Sequence, residues 1–72
     1  MRHERIEIDA EILLGKPVIR GTRIAVELVV RKLSEGMSEA ELLDAHPRLT
    51  HADVLAALAY AADVVAIERT TL

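Results

Sequence analysis

Asp44, His46, His51 and Asp53 fall in one short stretch and are of the types that ligate metal ions or move protons. Imidazole and carboxylate side chains drawn together from two helix ends could hold a divalent cation. Each of the four also falls where a helix is expected to end or begin, and a polar residue is needed there whatever the function, so no metal site is assigned. Gly15 to Gly21, followed by Thr22 and Arg23, has the outline of a phosphate loop. Five residues rather than four separate its glycines, and no Gly-Lys-Ser/Thr follows. Ser38 and Thr50 stand at helix starts as caps rather than nucleophiles, no histidine has a nucleophile partner by spacing, and the chain has no cysteine. The chain is read as a non-enzyme, with no catalytic, cofactor-binding or metal-binding residue.

What remains is a charged turn. Gly15-Lys16-Pro17-Val18-Ile19-Arg20-Gly21-Thr22-Arg23-Ile24 carries three cations and no acid, with glycines and a proline framing a β-branched pair. Such a turn presents guanidinium groups rigidly, at a lower ordering cost than a flexible tail. Lys16, Arg20 and Arg23, with Arg48 from a later turn, are the candidate partner-binding or nucleic-acid-binding residues. Guanidinium groups pair bidentately with clustered carboxylates, and with phosphates in the same way.

Composition restricts the partners. From Met1 to Lys32 seven Lys and Arg face five Asp and Glu, a balance of +2; from Leu33 to Leu72 two face seven, a balance of −5. A basic cluster on an acidic chain attracts a polyanion locally, but the whole field does not favour non-specific DNA binding. Tyr60 is the single aromatic residue, so there is no stacking platform for single-stranded nucleic acid. Met1 to Arg5 leads into no continuous apolar stretch, and the longest apolar run, Val54 to Ala62, is too short to span a bilayer. A soluble cytoplasmic protein with no membrane contact is expected.

Period and punctuation give the elements that must position these residues. One domain over 1–72 is expected, with an N-terminal β-ribbon and basic turn over 5–23 and a three-helix core over 24–67. Arg5 to Asp9 alternates polar and apolar as a half-buried strand does, and Pro17 to Arg20 is a second short β-like run. From Ile24 the period lengthens: Val26, Val29, Val30 and Leu33 share one face of a helix that ends at Gly36. Two N-terminal signatures follow. Ser38 with Glu41 forms a capping box and Met37 with Leu42 a hydrophobic staple; Thr50 with Asp53, and Leu49 with Val54, repeat the arrangement. Pro47 ends the second helix near Asp44 to His46, so a short turn leads into the third. The expected fold is mainly α, a three-helix helix-turn-helix bundle with a short β-ribbon.

The third helix is apolar nearly all round: between Val54 and Ile67 Asp63 is the one charged residue. Two short helices and a ribbon cannot cover such a helix, which predicts self-association, most simply as a dimer, with Ala56, Ala59, Tyr60 and Val64 at the interface.

The stretch from about Ile6 to Ala62 resembles the domain-of-unknown-function family four-three-three, often grouped with VapB-like antitoxins. The residues that carry the likeness are Gly15 to Ile24, Glu35-Gly36-Met37-Ser38, His46-Pro47-Arg48-Leu49-Thr50 and Ala56-Ala57-Leu58-Ala59-Tyr60-Ala61. The chain departs from the family pattern at Ala25, where members carry proline. The resemblance implies a homeodomain-like helix-turn-helix fold. It also implies an antitoxin-like regulatory role in which the protein neutralises a PIN-like nuclease toxin and binds operator DNA. The alternative is a structural protein–protein interaction module without nucleic-acid binding.

Overall fold

A computed structural model describes residues 3–69. Strand β1 (Ile6–Glu7) pairs antiparallel with β2 (Val18–Ile19), with Ile6 opposite Ile19 and Glu7 opposite Val18. Three helices follow: α1 (Val26–Ser34), α2 (Glu39–Ala45) and α3 (His51–Arg69). The mainly helical architecture with an N-terminal ribbon is the one expected, and the turn from His46 to Thr50 joins α2 to α3 as in a helix-turn-helix.

The ribbon is shorter than the alternation suggested. Asp9 turns the chain out of β1 by accepting the Glu11 N–H on its own Oδ1 at 2.9 Å and the Ile12 N–H on its carbonyl at 2.9 Å. The link to β2 then passes through a single 3₁₀ turn, Leu13–Gly15, with three successive residues at positive φ: Leu13 at 48°, Leu14 at 58° and Gly15 at 85°. Left-handed backbone is costly for leucine, and Leu14 stands 97% exposed on it.

α1 begins two residues later than the periodicity indicated. Ile24 and Ala25 are held extended against β2, since the Ile19 N–H donates to the Ile24 carbonyl and the Val26 N–H to the Pro17 carbonyl. Ala25 therefore occupies the N-cap, at φ −69° and ψ 142°, with no side-chain cap. Its φ is that of proline, and its N–H donates to no group among the described residues. Ala25→Pro is expected to raise stability by about 0.5–1 kcal/mol through the unfolded chain, which a thermal or urea melt would read as a higher midpoint. α1 ends in a Schellman motif: Gly36 has φ +99°, its N–H donates to Leu33, and the Met37 N–H reaches back to Lys32.

Both capping boxes form. Ser38 Oγ accepts the Glu41 N–H at 3.1 Å, while the Ser38 N–H donates to Glu41 Oε1 at 2.9 Å. At α3, Thr50 Oγ1 accepts the Asp53 N–H at 3.2 Å and the Thr50 N–H donates to Asp53 Oδ2 at 3.0 Å. The staple residues Leu42, Leu49 and Val54 join the core with Ile6, Ile19, Val26, Val29 and Ala57, and Met37 packs against it.

Two long-range ties fasten the N-terminal segment to α3. Arg5 Nη1 donates to Asp53 Oδ1 at 3.0 Å, and His3 Nε2 lies 2.8 Å from Asp63 Oδ2 with its ring edge-on to Tyr60 at 5.1 Å.

Candidate interaction surface

The basic turn is built tightly. Gly21 takes φ +79°, the Thr22 N–H and Oγ1 both donate to the Ile19 carbonyl, and Thr22 Oγ1 in turn accepts the Ile24 N–H at 3.0 Å. This closed loop fixes where each cation points, and most of them point inward on the protein's own backbone or acids. Arg20 donates through Nε to the Glu4 carbonyl at 2.6 Å and through Nη2 to the Ile6 carbonyl at 3.3 Å. Arg48 Nη2 donates to the Gly21 carbonyl at 2.7 Å, which ties the α2–α3 turn to the basic turn. Lys16 Nζ lies 3.4 Å from Glu27 Oε1, and Arg31 Nη2 lies 3.1 Å from Glu27 Oε2. Arg31 first and Lys16 second hold the Glu27 carboxyl below the usual carboxylate range. Arg23 is exposed and has no hydrogen bond or ion pair among the described residues. Of the four cations singled out in the sequence, it alone has no partner among the described residues.

The histidines and acids of the α2–α3 turn do not converge. His51 Nδ1 lies 2.7 Å from Glu39 Oε2, and Asp53 is buried under its cap and its pair with Arg5. No three His or acidic side chains come together as a metal site among the described residues.

Most of the exposed large apolar side chains lie on α3, where Leu55, Leu58, Val64, Val65 and Ile67 are all open to solvent. Ala56 and Tyr60 are half-buried and pack against the core, Ala59 is exposed, and Val64 is 37% exposed in a groove between α3 and α1. The side of α3 that faces solvent instead carries Leu55 at 53%, Leu58 at 41% and Val65 at 53% exposure, with Ala59, Ala62 and Ala66 exposed beside them. The reason lies in what packs on the helix. α1 and the ribbon cover the side that holds Ala57 and Tyr60, and in a helix apolar on all sides the sequence contains no contrast from which that choice can be read.

The groove between α1 and α3 has a volume of about 380 Å³ and is lined by Pro17, Val26, Val30, Tyr60, Val64 and Val65 together with the charged Glu27 and Arg31, so Val65 belongs both to the groove and to the exposed side of α3. It joins the basic turn at Pro17. An apolar trough with a charged edge suits an amphipathic helix or an extended apolar segment of another protein. No described helix is long and apolar enough to cross a membrane.

Comparison with known proteins places the chain in a family. The family model described as a protein of unknown function, DUF433, matches residues 6–61. An uncharacterized protein of Archaeoglobus fulgidus is 54% identical over 28 residues, which span 39% of this chain and 78% of the relative. The crystal structure of a DUF433 member protein from Anabaena variabilis superposes with a TM-score of 0.78 at 34% identity, over 92% of this chain. The chain spans 66% of that longer protein.

Proposed function

This chain belongs to the DUF433 family, and from that premise we propose that it is an antitoxin-like regulatory binding protein that acts through protein–protein contacts. It dimerises along α3 and sequesters a PIN-like nuclease partner in the cytoplasm, without a cofactor. The observation that supports the reading best is the amount of apolar surface on and beside α3 that a domain of this size leaves uncovered: an exposed face on one side and the α1–α3 groove on the other. Monomeric soluble proteins seldom leave contiguous apolar patches of that kind. A nuclease that holds metal with clustered carboxylates offers a natural counterpart to Arg23, which stands exposed at the end of a stiffened turn.

Operator binding is the weaker part of the reading. Lys16, Arg20 and Arg48 are engaged within the molecule, and the start of α3 offers His51, which is paired with Glu39. These engagements favour the second reading, an interaction module that makes no nucleic-acid contact.

Co-expression with the product of the neighbouring gene tests the proposal. A stable complex is expected, and Arg23→Glu is expected to weaken it at least 10-fold while leaving the melting temperature unchanged. Arg20→Glu should instead lower the melting temperature, because Arg20 bonds two carbonyls of the ribbon segment. A complex of undiminished affinity with Arg23→Glu removes the proposed contact, and a neighbour unrelated to nucleases counts against the antitoxin role.

A further inference from the structure

We infer that the groove between α1 and α3 takes an amphipathic helix of a partner protein whose acidic flank lies over α1, on Lys16, Arg31 and Lys32. The inference rests on the reading of this chain as a protein-binding module and adds the place and the charge of the bound segment.

The groove and a basic shelf beside it form one surface. Along α1, Val26, Val30 and Ser34 stand four residues apart and line the groove, a stripe of about 12 Å or two helical turns. Glu27 and Arg31 occupy the next stripe and line both the groove and a second hollow, which Lys16, Ala25, Leu28 and Lys32 complete. The opposite wall, on α3, is Tyr60, Ala61, Val64 and Val65, with no charge. One long side of the groove is therefore charged and the other is not.

The charged side is positive. Lys16 Nζ and Arg31 Nη2 share the single Glu27 carboxylate, at 3.4 Å and 3.1 Å, and Lys32 Nζ comes no nearer to Glu35 than 3.9 Å. Three cations thus face two acids, on a chain whose net charge is −3. The Lys16, Arg31 and Lys32 side chains are 61%, 63% and 45% exposed, so an incoming carboxylate meets donors that need no unpacking. Exposed ion pairs contribute little to a fold, and their exchange for a partner's acids costs correspondingly little. The match selects sign and orientation: acids over α1, neutral side chains over α3.

The shape and the charge together choose the occupant. A trough between two helices is filled by the ridge of a third, and a nucleic-acid backbone has no apolar ridge to fill it. This chain offers no such helix among its described residues. α2 carries Glu39, Glu41 and Asp44, but its Leu42 and Leu43 pack into or against the core. α3 exposes Leu55 and Leu58, but the acids that flank them, Asp53 and Asp63, are bound to Arg5 and His3. The segment therefore belongs to a different protein.

Two synthetic peptides test this, each of about 15 residues and so long enough to be partly helical alone. Both carry the same leucine stripe; one has glutamates along one flank, the other lysines. Fluorescence anisotropy reads affinity, and amide NMR shifts of the full chain read the place. The glutamate peptide is expected to bind roughly 10-fold or more tighter than the lysine peptide, shifting the Val26, Val30 and Val64 amides. Lys16→Glu with Arg31→Glu, both outside the core, should invert that preference. Val64→Glu should weaken both peptides, with circular dichroism confirming the fold. Equal binding of the two peptides, shifts confined to another face, or groove shifts that appear on concentrating the protein alone, as a second copy would cause, each overturn the inference. If neither peptide binds while the complex with the neighbouring gene's product forms, the inference falls and the protein-binding reading stands. If the glutamate peptide binds in the groove but no such complex forms, the groove's assignment holds and the nuclease partner is removed.

Discussion

Asp53→Ala is expected to lower the stability of the fold by about 2–3 kcal/mol, which for a domain of this length corresponds to roughly 10–20 °C in melting temperature. The carboxylate performs two jobs from one buried position. Oδ2 accepts the Thr50 N–H that closes the α3 capping box, and Oδ1 accepts Arg5 Nη1 from the ribbon. Removing it opens the first turn of the longest helix and unfastens the N-terminal segment together, and it leaves the Thr50 N–H without its acceptor. The two contributions separate experimentally. The Arg5 side chain is 55% exposed, so its guanidinium rehydrates when its partner is lost, and Arg5→Ala should cost no more than about 1 kcal/mol. Asp53→Asn keeps an acceptor for Thr50 and should fall between the two. Urea melts of these three variants decide the matter. If Arg5→Ala costs as much as Asp53→Ala, the ion pair carries the stability and the capping role is minor.

The same residue shows where sequence reasoning reaches and where it stops. The capping boxes and staples were legible because they are local: every partner lies within three to five residues of the other, and backbone geometry at a helix start leaves little choice of who bonds whom. The end of α2 before Pro47 and the Schellman turn at Gly36 were legible for the same reason. Arg5–Asp53 and His3–Asp63 were not, since each joins residues separated by most of the chain. A carboxylate in the third position of a helix with a core residue directly after it, as Asp53 has in Val54, is the signal that could have raised the question. The left-handed leucines of the 3₁₀ turn carry no turn chemistry and gave no sign.

The basic turn was found in the sequence, but its role was only half visible. Composition locates Lys16, Arg20, Arg23 and Arg48 without showing which of them satisfy carbonyls. The ribbon and the turn expose the Glu4, Ile6 and Gly21 carbonyls at their edges, and Arg20 and Arg48 are drawn to them. Arg23, one residue past Thr22, points away from that bonding. Likewise Ala56 and Tyr60, expected at an interface, pack against the core, and Tyr60 meets the His3 ring.

For the proposed dimer, these positions decide which substitution should break it. Leu58→Glu is expected to convert the protein to a folded monomer, weakening self-association at least 100-fold, or about 2.7 kcal/mol. In a two-fold interface one substitution places two uncompensated carboxylates against apolar surface. Leu58 is 41% exposed and outside the core of the protomer, so the melting temperature extrapolated to the monomer should hold. Ala59→Glu, on the same side, should act in the same direction. Tyr60→Glu should do something different: Tyr60 packs on the core and against His3, so burying a charge there destabilises the protomer itself. Light scattering with circular dichroism distinguishes the outcomes, as loss of mass with retained helix for Leu58→Glu and loss of helix for Tyr60→Glu. A Leu58→Glu protein that stays dimeric at low micromolar concentration would mean that the exposed α3 face is not the interface. The α1–α3 groove would then be the surface through which copies meet.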